Sequence, residues 1–155
     1  MLEQIFQIKK RREDEAVREE LRARLSLEQA AAGLRTEIQR KTDYEQWSGQ
    51  ERARLYEQLQ QQDSVKYNEL MQWNAQVADI KQGLLDIEAN IMKLEQERDR
   101  KQAEHKQAGE RKQHAQQQVV KFTELVEEEQ HEAMRRQELM EDRELEDFRR
   151  PDTSF

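Results

Sequence analysis

The sharpest pattern in the chain begins at Leu70. From there, positions spaced alternately three and four residues apart are all apolar: Leu70, Trp73, Val77, Ile80, Leu84, Ile87, Ile91 and Leu94. This spacing is a heptad seam, in which one stripe of a helix turns repeatedly toward a partner helix. The register continues through Arg98, Lys101, His105, Ala108, Lys112 and Ala115, then becomes apolar again at Val119, Phe122 and Val126. Gly83 and Gly109 each disfavour helix by about 1 kcal/mol relative to Ala, but neither stands beside a Pro, an Asn or a second Gly. One unbroken helix is therefore expected over residues 66–149.

The first half carries a less regular stripe: Leu2, Ile5, Ile8, Val17, Leu21, Leu25, the small run from Ala30 to Gly33, then Leu34, Ile38, Tyr44, Trp47, Leu55 and Leu59. It predicts a helix over 2–60. The apolar spacing lapses over 61–65, where a turn is expected and where Asp63 or Ser64 could cap the next helix. Pro151 disfavours helix at Arg150, so residues 150–155 are expected to form a mobile tail. Folding the chain at 63–64 brings together residues whose numbers add to about 128. Leu55 then meets Trp73, Trp47 meets Ile80, Tyr44 meets Leu84, Ile38 meets Ile91, Leu34 meets Leu94, Ile8 meets Val119 and Ile5 meets Phe122. The apolar segments coincide, and the apolar return in the second half falls where the apolar N-terminus would arrive. The expected fold is all-α: one long antiparallel coiled-coil hairpin over 1–155, a rod of roughly 85–90 Å with a C-terminal helical overhang of about 20 residues. Its seam is expected to use Leu34, Ile38, Leu55, Leu70, Val77, Ile80, Leu84, Ile87, Ile91, Leu94, Val119 and Phe122.

Composition narrows what such a hairpin can do. Of 155 residues, 39% are charged and 34% hydrophobic, which rules against a thick core. Four Gly and one Pro leave little turn chemistry, so β architecture is not expected. The absence of Cys removes disulfides, thiolate metal sites and cysteine nucleophiles, and fits a reducing compartment. No apolar run approaches the ~20 residues of a membrane span. A net charge of −7 argues against a general nucleic-acid binder. His105, His114 and His131 lie nine and seventeen residues apart, so no two sit one helical turn apart as ligands on one face. With no phosphate loop, no paired metal ligands and no enclosed pocket, the expectation is a non-enzyme without cofactor or metal.

Three features invite partners. Tyr44, Trp47, Trp73, Tyr56 and Tyr67 crowd toward the turn, and a two-helix seam cannot cover both faces of an indole. Lys9, Lys10, Arg11 and Arg12 form a basic run near the open end. The overhang carries Leu139, Met140, Leu145 and Phe148 among acidic residues, with no first-helix partner to cover them. In the middle, Arg98, Lys101, His105 and Lys112 occupy seam positions opposite Leu21, Leu25 and Leu27. Either the helices bow apart there or the leucines turn outward.

The strings Thr42-Asp43-Tyr44-Glu45-Gln46-Trp47, Glu69-Leu70-Met71-Gln72-Trp73 and Lys121-Phe122-Thr123-Glu124-Leu125-Val126, with an acidic stretch ending near Glu146-Asp147-Phe148, resemble the YscO family. That family comprises stalk proteins of bacterial type III secretion injectisomes, associated with virulence, and its flagellar counterpart is FliJ. The resemblance covers most of the chain, in order and at suitable spacing from the turn. It implies a monomeric cytoplasmic hairpin at the inner-membrane base of the apparatus, without direct membrane insertion. Such a hairpin resembles the paired helices of a rotary ATPase gamma subunit. It would be inserted into a hexameric secretion ATPase, point toward the export gate protein, and possess contacts with secretion chaperones. Carried over, Lys9, Lys10, Arg11, Arg12, Arg135 and Arg136 would engage the ATPase, and Tyr44, Trp47 and Trp73 the export gate. The competing expectation is a homodimeric coiled-coil scaffold or tether without ATPase contact.

Overall fold

The computed structural model describes residues 1–149 and folds them into two α-helices, α1 (Leu2–Gln60) and α2 (Tyr67–Arg149). Residues 150–155, the expected tail, lie outside the described residues. Bonds from Gln61 N to Glu57 O (3.1 Å) and from Gln62 N to Leu59 O (3.4 Å) close α1. The Leu70 amide donates to Lys66 O at 3.1 Å, so Lys66 stands at the N-cap, and Asp63 and Ser64 lie within the turn rather than capping α2. No described peptide bond is cis, and no described residue has a positive φ. The helices pack as two compact units, one of Met1–Leu21 with the chain from Gln107 onward, the other of Arg22–Lys106.

Within the Arg22–Lys106 unit, the covered positions of α2 are Trp73, Val77, Ile80, Leu84, Ile87, Ile91, Leu94, Arg98, Lys101 and His105, the alternating three-four series read from the sequence. The covered positions of α1 obey the same alternation but only partly match the apolar residues. They run Ala23, Leu27, Ala30, Leu34, Glu37, Lys41, Tyr44, Ser48, Glu51 and Leu55. Each is the mirror of an α2 seam residue about the turn, with numbers that add to 128. Two expectations are therefore corrected on α1: Ile38 is 45% exposed and Trp47 48% exposed, and their neighbours Glu37 and Ser48 are buried instead. The reason is volume. Ile91 and Ile80 already fill the seam at those levels, and a close-packed interior accepts a small or slender neighbour beside a bulky one more readily than two bulky ones. Leu70 is also exposed, at 40%, because its mirror position is Gln58, near the last turn of α1.

The middle of the seam follows the same rule and answers the question left open above. Opposite Arg98, Lys101 and His105 stand Ala30, Leu27 and Ala23, while Leu25 faces outward. Small alanines leave room for the long polar side chains of Arg98 and His105, while the aliphatic stem of Lys101 lies at the level of Leu27.

In the other unit, α1 presents Leu2, Phe6, Lys9, Glu13, Ala16 and Glu20, and α2 presents Ala108, Lys112, Ala115, Val119, Phe122 and Val126. Ala16 and Ala108 are buried, again set against long polar residues. Val17 and Leu21 are exposed. Here too the expected apolar pairings shift by one residue: Phe6 replaces Ile5 as the mirror of Phe122, and Lys9 replaces the exposed Ile8 as the mirror of Val119. Ion pairs span the helices from Lys112 to Glu20 and from Arg111 to Glu19, both at 3.8 Å. Arg111 and Glu19 are exposed and Lys112 and Glu20 part-covered, so such pairs add little stability individually but suit one register better than its neighbours.

One contact ties the helices more specifically. The Tyr44 hydroxyl donates to the Ile80 carbonyl at 2.8 Å, crossing α2 at Gly83. A Cβ built on Gly83 would fall 2.8 Å from Tyr44 Cζ, closer than atoms can sit, whereas Gly33, Gly49 and Gly109 have open space. Gly83 is thus the notch that admits Tyr44. Gly109→Ala should stabilise the protein by up to about 1 kcal/mol through helix propensity. Gly83→Ala should gain nothing or lose stability, because it displaces the Tyr44 hydroxyl from its acceptor. Thermal melting followed by circular dichroism checks both; equal stabilisation by the two changes would contradict the notch. The corrected seam makes a second prediction: Leu34→Ala should destabilise by about 2–4 kcal/mol and Ile38→Ala by less than about 1 kcal/mol.

Candidate interaction surfaces

The basic run and the arginine pair, grouped by the sequence reading, are not one cluster. Lys9 is half-covered, and its Nζ lies 5.3 Å from the centroid of the Phe122 ring. Lys10 Nζ stands 5.2 Å above Phe6. These cation–π contacts, each of order 0.5–1 kcal/mol at exposed sites, hold two of the four charges against the protein's own aromatic rings. Arg11 and Arg12 are exposed. Arg135 lies thirteen residues beyond Phe122 on α2, about 20 Å along the helix axis. Arg136 pairs with Glu132 at 3.4 Å, and Arg135 lines a concavity with Glu128, His131 and Glu132. The two arginines therefore stand in an acidic setting of their own.

Beyond Val126, α2 has outrun α1. Every residue from 127 to 149 is exposed, including Met134, Leu139, Met140, Leu145 and Phe148, the last at 90%. Most helical stability in proteins comes from packing an apolar face, and nothing among the described residues packs against this arm, so it carries an unmet packing demand.

The aromatic residues divide as well. Tyr44 and Trp47 are one assembly, their ring centroids 5.4 Å apart and tilted by 45°. Tyr44 is anchored by its bond to Ile80, and this fixes the ring against which the exposed indole of Trp47 leans. Trp73 sits nearer the turn, at the level of Leu55, in a groove bordered by Gln58, Leu59, Gln62 and Glu69. Its Nε1 is buried and has no hydrogen-bond partner within the protein. Tyr56 and Tyr67 are exposed. Trp73 therefore has a covered ring and Trp47 an open one, a difference that the spacing alone does not disclose.

Between these features the surface is an ordinary charged coiled-coil face. Arg54 donates to both carboxylate oxygens of Glu51, and that hydrogen bonding holds the Glu51 carboxyl below the usual carboxylate range and raises Arg54. Lys41 lies between Glu45 (3.9 Å) and Glu88 (3.6 Å), the second of these across the helix pair. Glu37, nearly buried, pairs with Arg40 at 3.2 Å. Among the described residues no group of three His, Cys, Asp or Glu side chains could hold a metal ion, and no helix is long and apolar enough to cross a membrane.

The arrangement matches a known one. The 2.8 Å crystal structure of type III secretion protein YscO from Vibrio parahaemolyticus superposes with a TM-score of 0.86 at 26% sequence identity, covering 96% of this chain and 93% of that one. No curated protein matches the chain. The model of the family described as type III secretion protein YscO matches residues 2–151, nearly the whole sequence, and on that ground the chain belongs to the YscO family of type III secretion proteins.

Proposed function

We propose that this protein is a stalk or adaptor of a bacterial type III secretion apparatus, linking the hexameric secretion ATPase to the export gate protein and offering a surface to secretion chaperones. The observation that carries this reading is the bare arm of α2. A helix whose residues 127–149 are all exposed, beside a basic run with Arg11 and Arg12 free of the seam, is built to be completed by another protein. Family membership supplies the class of partner. In this reading the chain performs no chemistry itself and holds no cofactor. A single asymmetric hairpin in a sixfold ring touches only some subunits at once, so it can bias the ring's state mechanically. It works as a monomer on the cytoplasmic face, peripheral to the inner membrane at the base of an injectisome.

Arg11 and Arg12 carry the ATPase contact in this reading, with Lys9 and Lys10 already committed to aromatic rings. Arg11→Glu with Arg12→Glu should weaken ATPase binding at least tenfold in a pull-down or by interferometry, while Lys9→Gln should change it less and lower stability instead. Unchanged ATPase binding by the double reversal would refute the assignment.

For the gate contact the open indole matters most. Trp47→Ala should impair secretion and gate binding with a stability loss below about 1 kcal/mol, since the ring is half exposed. Trp73→Ala should act mainly by destabilising the turn-proximal seam, by about 3 kcal/mol. Wild-type secretion by the Trp47→Ala protein would exclude Trp47 from the contact. Light scattering that reported a stable dimer would favour the scaffold reading over the stalk.

A further inference from the structure

The charge of the chain is not spread along it. Residues 127–149 hold ten Asp and Glu against four Arg, a net of −6, out of −7 for all 155 residues. Nearly all the excess negative charge therefore lies on the segment that α1 leaves uncovered. Three of the five large apolar residues of that segment also leave the seam's face. Continuing the seam beyond Val126 in the same three-four steps gives Glu129, Ala133, Arg136, Met140, Arg143 and Asp147, which is mostly charged. Met134, Leu145 and Phe148 lie instead within about 60° of one another, some 130° around the helix from that line, while Leu139 and Met140 lie on other sides. A helix prolonging the line of α1 would meet mostly charge, and one approaching from the new side would meet Met134, Leu145 and Phe148 with Glu141 among them and Glu138 and Glu144 at the edges.

We propose that the arm of residues 127–149 docks through this rotated face onto a protein surface whose apolar groove is rimmed by Lys and Arg. The sign of the arm selects that occupant. A second copy of the arm is disfavoured because each would bring −6, and an anionic lipid surface is disfavoured for the same reason. The proposal deepens the stalk reading, on which it rests for the partner being a protein of the apparatus, by giving the partner's surface chemistry. It also parts Arg135 and Arg136 from Lys9–Arg12. The basic run suits an acidic surface, whereas the arginines sit inside an acidic element and serve its internal pairing, as Arg136 with Glu132 already does.

The chain has no Cys, so Ala133→Cys gives a single labelling point on the arm, about 90° around the helix from the proposed face. The fluorescently labelled full chain is titrated with two synthetic helical peptides that share one leucine stripe, flanked in one by Lys and in the other by Glu. The expected result is saturable binding of the Lys-flanked peptide only, weakening at least tenfold between about 50 and 500 mM salt. Both Glu138→Gln/Glu141→Gln/Glu144→Gln and Met134→Ala/Leu145→Ala/Phe148→Ala should lose at least tenfold in affinity. Arg135→Ala/Arg136→Ala should bind as well as or better than the parent. Equal binding of both peptides, indifference to either triple variant, or loss on removing the arginines would overturn the proposal. Circular dichroism confirms that each variant remains helical. The same variants are then titrated with purified ATPase and with the cytoplasmic part of the gate protein. If the peptide results hold while neither component binds the parent chain, the stalk reading fails and the arm's docking chemistry stands.

Discussion

Everything in this fold depends on two helices keeping one register across a seam that is only partly hydrophobic. A seam of leucines would hold by area, at about 25 cal/mol per Å² of apolar surface buried, but would tolerate sliding by a heptad. This seam buries few large side chains, and among the described residues none is completely enclosed. Its register rests on complementarity instead: alanine beside lysine or histidine, glutamate beside valine or isoleucine, and the tyrosine that enters the space left by Gly83 to reach the Ile80 carbonyl. Sliding by one heptad would set Tyr44 against Gln76 or Asn90, each with a Cβ, and withdraw its hydroxyl from the Ile80 carbonyl. The polar seam positions reduce stability, and in return they disfavour the alternatives.

The second helix was legible in phase because the apolar residues of its three-four series are its inward positions, Leu70 excepted. The first helix was legible in extent but wrong in phase at several levels. Ile8, Val17, Leu21, Leu25, Ile38 and Trp47 are large apolar residues, and hydrophobicity alone points them inward. The structure turns Lys9, Ala16, Glu20, Ala23, Glu37 and Ser48 inward, because what fits beside a bulky partner is decided by the other helix. A single-helix pattern holds no information about that. Counting back from the second seam through the turn would have recovered the phase, since mirror positions add to 128 throughout.

The candidate surfaces were legible as composition but not as geometry. A run of four cations is plain in the sequence, yet which of them fold back onto Phe6 and Phe122 depends on the helix phase and on the partner helix of the hairpin. Both tryptophans signal recognition, but one leans openly on a tyrosine and the other lies in a groove with its indole nitrogen enclosed. The arm was evident from arithmetic alone, because α2 is longer than α1. Its rotated apolar face needed the observed end of the seam at Val126.

The pairing of alanine with long polar side chains also bears on how such proteins diverge. A seam position opposite an alanine asks only for a flexible stem with a solvated head, and Lys, Arg, Gln and Glu all satisfy it. Spacing is then constrained while identity is free. That is consistent with a TM-score of 0.86 surviving at 26% identity to the Vibrio parahaemolyticus protein. The structural information in this chain lies in the rhythm of side-chain sizes, so two sequences can share nearly the whole architecture while agreeing at only about one position in four.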